Sequence, residues 1–387
     1  MSADPVERSR DFTVIPAGGG EVRLHSLTLS LAVGGPAMPV VTDLLALLDA
    51  GPLPRAELVA RLRAYGEPAV TAAIDHLLSA GVLRPATSPW PHDEHRRLRS
   101  QVAFFEHFVA PDAVLELPGR ADEPRSGADF QRMLDRSRVM IVGLGRLGSG
   151  LARDLALAGV GTIIGIDAAP VGDADAASDA VFNEADRGRR RSEALADHLP
   201  AVIYQPAAPP RDWDALLSEA TFAVVCPDHH RPAELRAVNR AALNRGTPWT
   251  SARLTGFELH IGPTVLPGRT ACYECAEARL RSNSADLEES AIVEAFRDIG
   301  RLRQEIPAFT PGTSLLSLEV LKALCWFATP ASCSHLVTLD FLRLRLDRHP
   351  VLKVPRCPAC GTAAVARPTI LAWQREPAGT ETVEAVS

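Results

Sequence analysis

Hydrophobic and polar positions alternate at period two early in the chain. Phe12, Val14 and Pro16 alternate with polar or small neighbours, Val22 and Leu24 follow, and Leu27, Leu29, Leu31 and Val33 complete the run. That pattern predicts short, half-buried strands, with AGGGE at 17–21 as the first turn. The period then lengthens to that of a helix. Leu44, Leu45, Leu47 and Leu48 predict one helix, ended by Gly51 and Pro52; Leu58, Val59 and Leu62 predict a second. Val70, Ile74, Leu77 and Leu78 predict a third, ended by Gly81, with Val82 and Leu83 beyond it. Strands followed by helices over residues 1–88 describe a small winged-helix-like α+β domain.

Residues 89–136 read as a connector, entered through the linker-like PATSPWPHDE at 85–94, with a helix over 95–108 whose Phe104, Phe105 and Phe108 are expected to pack on a neighbouring domain, and a polar loop at 121–129. From 137 to 371 the pattern is α/β. RVMIVGLGRLGSGLARDLALAGVGTIIGID reads as strand, glycine turn, helix, strand. VVCPD at 224–228 ends another strand, and a helix through Leu235, Val238 and Leu243 follows. TLDFLRLRL at 338–346 alternates as a strand. Residues 372–387 carry no apolar pattern and are expected to be disordered.

Charge narrows the function. Lys plus Arg is 41 and Asp plus Glu is 47, a net of −6, which argues against a nucleic-acid binder with its usual basic excess. Over residues 1–90 the chain has seven Arg and no Lys against nine Asp plus Glu, a net of −2. The first module is therefore expected to take a peptide rather than DNA. No apolar run approaches the ~20 residues that span a bilayer, and the polar start lacks the apolar core of a signal peptide. A cytoplasmic location without membrane contact is expected.

Of seven cysteines, four form two C-x-x-C pairs, Cys272/Cys275 and Cys357/Cys360, with 81 residues between the pairs. An odd count without an export signal does not suggest a disulfide framework. Each C-x-x-C turn places two sulfurs on one metal, so the pairs predict a structural four-thiolate zinc with no open position for catalysis; a redox or unliganded set is the other reading. His349 lies near the second pair but is superfluous if all four cysteines bind. Cys226 and Cys325 read as buried structural thiols, and Cys333 has no assigned chemistry.

Gly143, Gly145 and Gly148 form G-x-G-x-x-G between a strand and a helix, and Asp167 ends the next strand, 19 residues after Gly148. Such a turn brings backbone close to phosphates at a helix N-terminus, and the carboxylate can hold ribose hydroxyls. Alone, this would suggest a dinucleotide oxidoreductase. The surrounding wording, GLGRLGSGLARDLALAGVGTIIGID with CYEC, CPAC and PGTSLLSLEVLKAL at 311–324, resembles instead the ThiF family, the ubiquitin-activating-type adenylating enzymes that activate carboxyl termini with ATP. The resemblance runs over about residues 130–365. It implies a Rossmann-type α/β fold with a structural four-cysteine zinc, a nucleotide pocket at Gly143, Gly145, Arg146, Gly148, Asp167, Arg191 and Asp228, and homodimerisation. Arg191 stands where the family has Lys, and Asp228 fits its magnesium-binding Asp, beside His229 in place of Asn. Arg146 replaces a loop glycine, to hold a phosphate or fill the pocket. The family's S-N-L-N-R-Q segment is here ADAASD at 174–179, its Arg position falling on Ser178 and its Gln on Asp179. A cation lost and an anion gained beside a polyphosphate oppose ATP binding. The pocket therefore reads as degenerate, with ATP not expected in this chain.

Two further segments, HIGPTVLPGRTACYECAEARL at 260–280 and HPVLKVPRCPACG at 349–361, resemble the Ocin-ThiF-like proteins, partners of YcaO cyclodehydratases in azole and thiopeptide pathways. Residues 12–51 and 73–86 are similar to their PqqD-like winged helix. The resemblance implies a scaffold that captures a precursor leader peptide and delivers it to a YcaO protein, which uses ATP to form azolines. Leader capture would be β-augmentation on an edge strand at 27–33, with the helix 69–80 as the other wall. Leu27, Leu29, Leu31, Ile74 and Leu78 are the expected strand and wall residues. The alternative is an active adenylating enzyme acting on a peptide or carrier-protein C-terminus.

Overall fold

A computed structural model of the chain describes residues 5–9, 12–26, 29–86, 96–109, 124, 126–177, 181–204, 212–229, 231–255, 257–298 and 312–361. Expectations for Leu27, Ser178, Asp179, the loop residues 121–123 and 125, and the tail lie outside them. The chain divides into two compact units, Met1–Arg132 and Met133–Ser387.

In the first unit, β1 (Pro5–Arg8) is the centre of a three-stranded antiparallel sheet with β5 (Leu53–Pro54) and β6 (Leu83–Pro85). A second antiparallel sheet is the meander β2 (Thr13–Ala17), β3 (Glu21–His25) and β4 (Ser30–Val33), the strands expected from the period-two run. Glycines 19 and 20, both at positive φ, make the β2–β3 turn. The helices α1 (Ala37–Asp49), α2 (Arg55–Arg61) and α3 (Glu67–Ser79) lie where the apolar spacing placed them. Val40, Val41, Leu44, Leu45 and Leu48 of α1 share its buried side. Gly66 (φ 85°) opens α3, Pro68 occupies its first turn and Gly81 (φ 72°) follows its end. The core joins Leu24, Leu44, Leu58, Val70 and Ile74, none exposed to solvent. α4 (Arg99–Glu106) packs on α5 (Gly127–Arg136): Phe105 meets Phe130 at 5.4 Å between ring centroids, and a Cβ on Gly127 would lie 2.1 Å from the Val102 carbonyl. Phe105 is the buried member of the expected aromatic trio, and Phe104 is exposed.

The second unit is built on an eight-stranded mixed sheet in the order β14-β13-β12-β11-β10-β7-β8-β9. Its parallel part comprises β7 (Arg138–Val142), β8 (Thr162–Ile166), β9 (Val202–Tyr204), β10 (Phe222–Val225) and the start of β11 (Trp249–Thr255). β7 and β10 are near-continuous apolar runs because both faces are covered. The helices that follow these strands in sequence are α6 (Arg146–Leu157), α7 (Asp173–Ala176), α8 (Arg191–His198), α9 (Trp213–Ser218) and α10 (Pro232–Arg245). Antiparallel strands β12 (Glu258–Ile261), β13 (His335–Asp340) and β14 (Arg345–Pro350) extend the sheet, with α11 (Tyr273–Ser282), α12 (Leu287–Asp298) and α13 (Thr313–Cys325) between them in sequence. α13 approaches α6 closely at Gly150, where a Cβ would lie 2.9 Å from Thr313 Cγ2.

The segment 338–346 is a hairpin, not one strand. The Asp340 carboxylate accepts the backbone N–H groups of Leu342 and Arg343, folding the chain back. The alternating Phe-Leu-Arg-Leu that follows keeps the strand pattern through this turn and so hides it. No described helix is long and apolar enough to cross a membrane.

Candidate functional site

The strand order reverses at β7, which has β8 on one side and β10 on the other. In open α/β sheets the crevice beyond the carboxyl ends of such strands receives ligands. The chain's candidate nucleotide residues arrive there from the ends of these strands. Gly143 follows β7 at φ 89°, and a Cβ on it would lie 2.8 Å from the Cys226 carbonyl. A Cβ on Gly148 would meet the Gly143 carbonyl at 1.9 Å, and one on Gly145 the Asp228 carboxylate at 1.9 Å. The three glycines thus permit close backbone and side-chain approach that no other residue allows. Gly145 is the N-cap of the twelve-residue α6 and has no side chain of its own to cap that end. The turn is a backbone cradle at a positive helix terminus, suited to phosphate.

Asp167, just past β8, is fixed by the N–H groups of Leu144 (2.9 Å) and Ala169 (2.8 Å), which locks the glycine turn to the β8 end. Asp228 follows β10. Between them lies the Arg191 guanidinium, at the start of α8. Its Nη1 donates to Asp167 Oδ2 (3.2 Å) and its Nη2 pairs with Asp228 Oδ2 (2.8 Å). Its other edge forms a two-point pair with Asp175: Nε to Oδ2 at 3.0 Å and Nη2 to Oδ1 at 2.9 Å. Burial works against the Arg191 charge, but the carboxylates of Asp228, Asp167 and Asp175 outweigh it and raise its pKa further. Arg146 is half-buried at the first position of α6.

The predicted nucleotide residues Gly143, Gly145, Arg146, Gly148, Asp167, Arg191 and Asp228 therefore occupy one crevice. Asp175 is a member that sequence reasoning missed. It sits in the segment that reads as a loss of cationic character, and its signal is indirect: arginine at 191 invites a planar, two-point carboxylate partner that lysine would not.

The cysteine pairs also converge. Cys272 is the N-cap of α11 and Cys275 lies in its first turn, while Cys357 and Cys360 follow β14. All four are buried, and their sulfurs lie within 4.8 Å of one another. Cys272 and Cys357 are 3.6 Å apart, Cys275 and Cys360 3.5 Å, and Cys272 and Cys275 3.9 Å. Four sulfurs around a tetrahedral zinc at ~2.3 Å would stand ~3.8 Å apart, whereas a disulfide needs ~2.05 Å. The donor set fits the metal. Hydrogen bonding from Cys272 and from the Val354 N–H (3.3 Å) lowers the Cys275 pKa, favouring a thiolate. His349 bonds Thr338 at 3.1 Å, apart from this set.

Among the remaining thiols, Cys226 and Cys325 are fully buried. Cys226 contacts the Gly143 carbonyl at 3.5 Å, and burial pushes its thiol well above the ordinary range. It packs the floor of the glycine turn. In the first unit, β4 pairs only with β3 among the described residues. Leu29 beside it is 40% exposed. Leu31 and Leu78 are half-buried against the core, and Ile74, with no exposure, is a core residue rather than a groove wall. Helical spacing gives its face, not its depth.

The model of the ThiF family matches residues 121–360. Protein HesA of Leptolyngbya boryana is 25% identical over 248 residues, 62% of this chain and 83% of that protein. The molybdopterin-synthase adenylyltransferase of Escherichia coli (strain K12) is 26% identical over 244 residues, 61% and 92% of the two chains. Among solved structures, E. coli MccB with AMPCPP and MccA superposes at a TM-score of 0.64 and 18% identity, covering 92% of this chain and 99% of that one; the likeness is one of fold. The family match takes in the glycine turn, Asp167, Arg191, Asp228 and both cysteine pairs, and with well over half of its length so matched the chain belongs to the ThiF family.

Proposed function

We propose that this chain is an ATP-dependent adenylating enzyme acting on the carboxyl terminus of a peptide or carrier protein. The observation that carries this reading is the meeting of a glycine-capped helix N-terminus, a buried guanidinium and two strand-end carboxylates at the reversal point of the sheet. Relatives named as adenylyltransferases support it. It replaces the expectation of a degenerate pocket as the leading reading.

The glycine turn and α6 N-terminus would cradle the phosphates, and Asp167 would take the ribose hydroxyls. Asp228 would hold the divalent cation that lets phosphates approach so many carboxylates. A substrate carboxylate oxygen attacks the α-phosphorus, the bond from that phosphorus to the bridging oxygen breaks, and pyrophosphate leaves with the electron pair. The product is an acyl-adenylate. Arg191, with its charge held on by three carboxylates, is placed to stabilise the charge that develops on the phosphoryl oxygens. Cys272, Cys275, Cys357 and Cys360 would hold a zinc that pins α11 to the end of β14 and, with all positions filled, takes no part in the reaction.

Purified protein with MgATP and labelled pyrophosphate is expected to show ATP–pyrophosphate exchange that depends on a carboxyl-terminal substrate. The second reading keeps the chain as a scaffold, a homodimer that delivers a precursor peptide to a YcaO cyclodehydratase. The carboxylate excess around Arg191 favours it. No exchange, together with co-purification of a YcaO protein and a precursor peptide, would establish it.

Under either reading the first unit captures the peptide, through the edge of β4. Leu29→Asp places a charge at that exposed edge and is expected to weaken peptide binding by at least tenfold, about 1.4 kcal/mol. Fluorescence anisotropy with a labelled precursor peptide reads this. Unchanged affinity would remove β4 as the docking edge.

A further inference from the structure

The described molecule offers several features outside the cradle and the cysteine cluster. Exposed apolar side chains stand on the β13–β14 hairpin and on α12, but nothing shows what covers them. The buried Glu319 is fully occupied by Lys322 and Ser332. Asp175 is different. It is a buried carboxylate, 4% exposed at the side chain, and stands beside a crevice proposed to bind polyphosphate. On its own charge it should oppose that ligand.

The guanidinium geometry resolves the conflict. Asp175 takes the Nε/Nη2 edge of Arg191 in a two-point pair, the geometry with the most directional control. Asp175 is itself held, because its Oδ2 accepts the Gly172 N–H at 2.9 Å. The chain also anchors Arg191 at its backbone, whose N–H donates to the Ala169 carbonyl at 3.0 Å. With one edge clamped, the remaining Nη1/Nη2 edge can face only the space between Asp167 and Asp228. Those two carboxylates have other partners once the crevice is filled, ribose hydroxyls and a divalent cation. Asp175 has none.

We propose that Asp175 is a positioning residue of the nucleotide site: it holds Arg191 so that the outer guanidinium edge is presented to the phosphates of a bound nucleoside triphosphate. This rests on the reading of the crevice as an ATP site. Asp175 contributes attraction for phosphate only through Arg191, and its direct effect is repulsion. The two effects separate by sign, which a purely structural role would not produce.

The test is MgATP affinity, by isothermal titration calorimetry, of the full chain and of the variants Asp175→Asn, Arg191→Ala and the double variant, with a thermal melt of each. Asp175→Asn alone is expected to weaken MgATP about tenfold. In the Arg191→Ala background the same change is expected to leave affinity unchanged or to tighten it by about two- to fivefold, because only repulsion is then removed. Asp175→Glu, which keeps the charge, is expected to recover part of the loss. Equal weakening in both backgrounds overturns the proposal and makes Asp175 structural. So does an Asp175→Asn variant that binds as the parent does. A parent chain that binds no MgATP refutes the ATP reading itself, a result distinct from either.

Discussion

Replacing Cys357 with serine is expected to remove the metal and to lower the melting temperature by ~10–20 °C. The parent protein, purified under reducing conditions, should carry about one zinc per chain by elemental analysis. In isolated zinc-finger peptides the metal supplies ~10–16 kcal/mol, because nothing else folds them. Here the eight-stranded sheet and its apolar core stand beside the cluster, so the loss is smaller. About 5 kcal/mol is the scale expected for loss of a structural metal from a domain, and each kcal/mol shifts melting by ~2–4 °C at this size. A metal-free parent would sink the four-thiolate proposal. So would a variant that keeps its zinc and its melting point.

Replacing Asp228 with asparagine should have the largest effect on activity. The side chain keeps its shape and loses the charge proposed to hold the divalent cation, so ATP–pyrophosphate exchange should fall by about 10²–10³-fold. The fold should barely change. Arg191 keeps Asp167 and Asp175 as partners, so no buried charge is left unpaired. Zinc content and melting temperature are the controls. Exchange at the parent's rate would show that Asp228 carries no essential charge in the reaction.

Much of this site is legible in the amino-acid sequence because its signals are local. The G-x-G-x-x-G turn, the strand ends at Asp167 and Asp228, and the two C-x-x-C turns each depend on a few neighbouring residues. The apolar runs of β7, β8 and β10 place the glycine turn, Asp167 and Asp228 at the ends of buried parallel strands. The features that are not legible depend on long-range pairing. β1 is the polar Pro-Val-Glu-Arg, of which only Val6 is buried, and it exists because β5 and β6 accept it as a neighbour. The leucines after Asp340 continue a strand pattern across a turn made by one carboxylate. Ile74 has the right spacing for a groove wall, and depth in the core is not a property of spacing. Asp175 reads as one more acidic residue until Arg191, sixteen positions later, is folded against it.

The cysteine cluster also has a consequence for chain topology. Joined through one ion, the two knuckles would make a closed ring of the 81 residues between them, a ring that includes α12, α13 and the β13–β14 hairpin. Within that ring the backbone would no longer be the sole link between its ends. A single peptide bond cut there would alter the covalent sequence without dividing the molecule, because the metal would still span the break. Continuity of the polypeptide and integrity of the fold would become separate properties over this stretch.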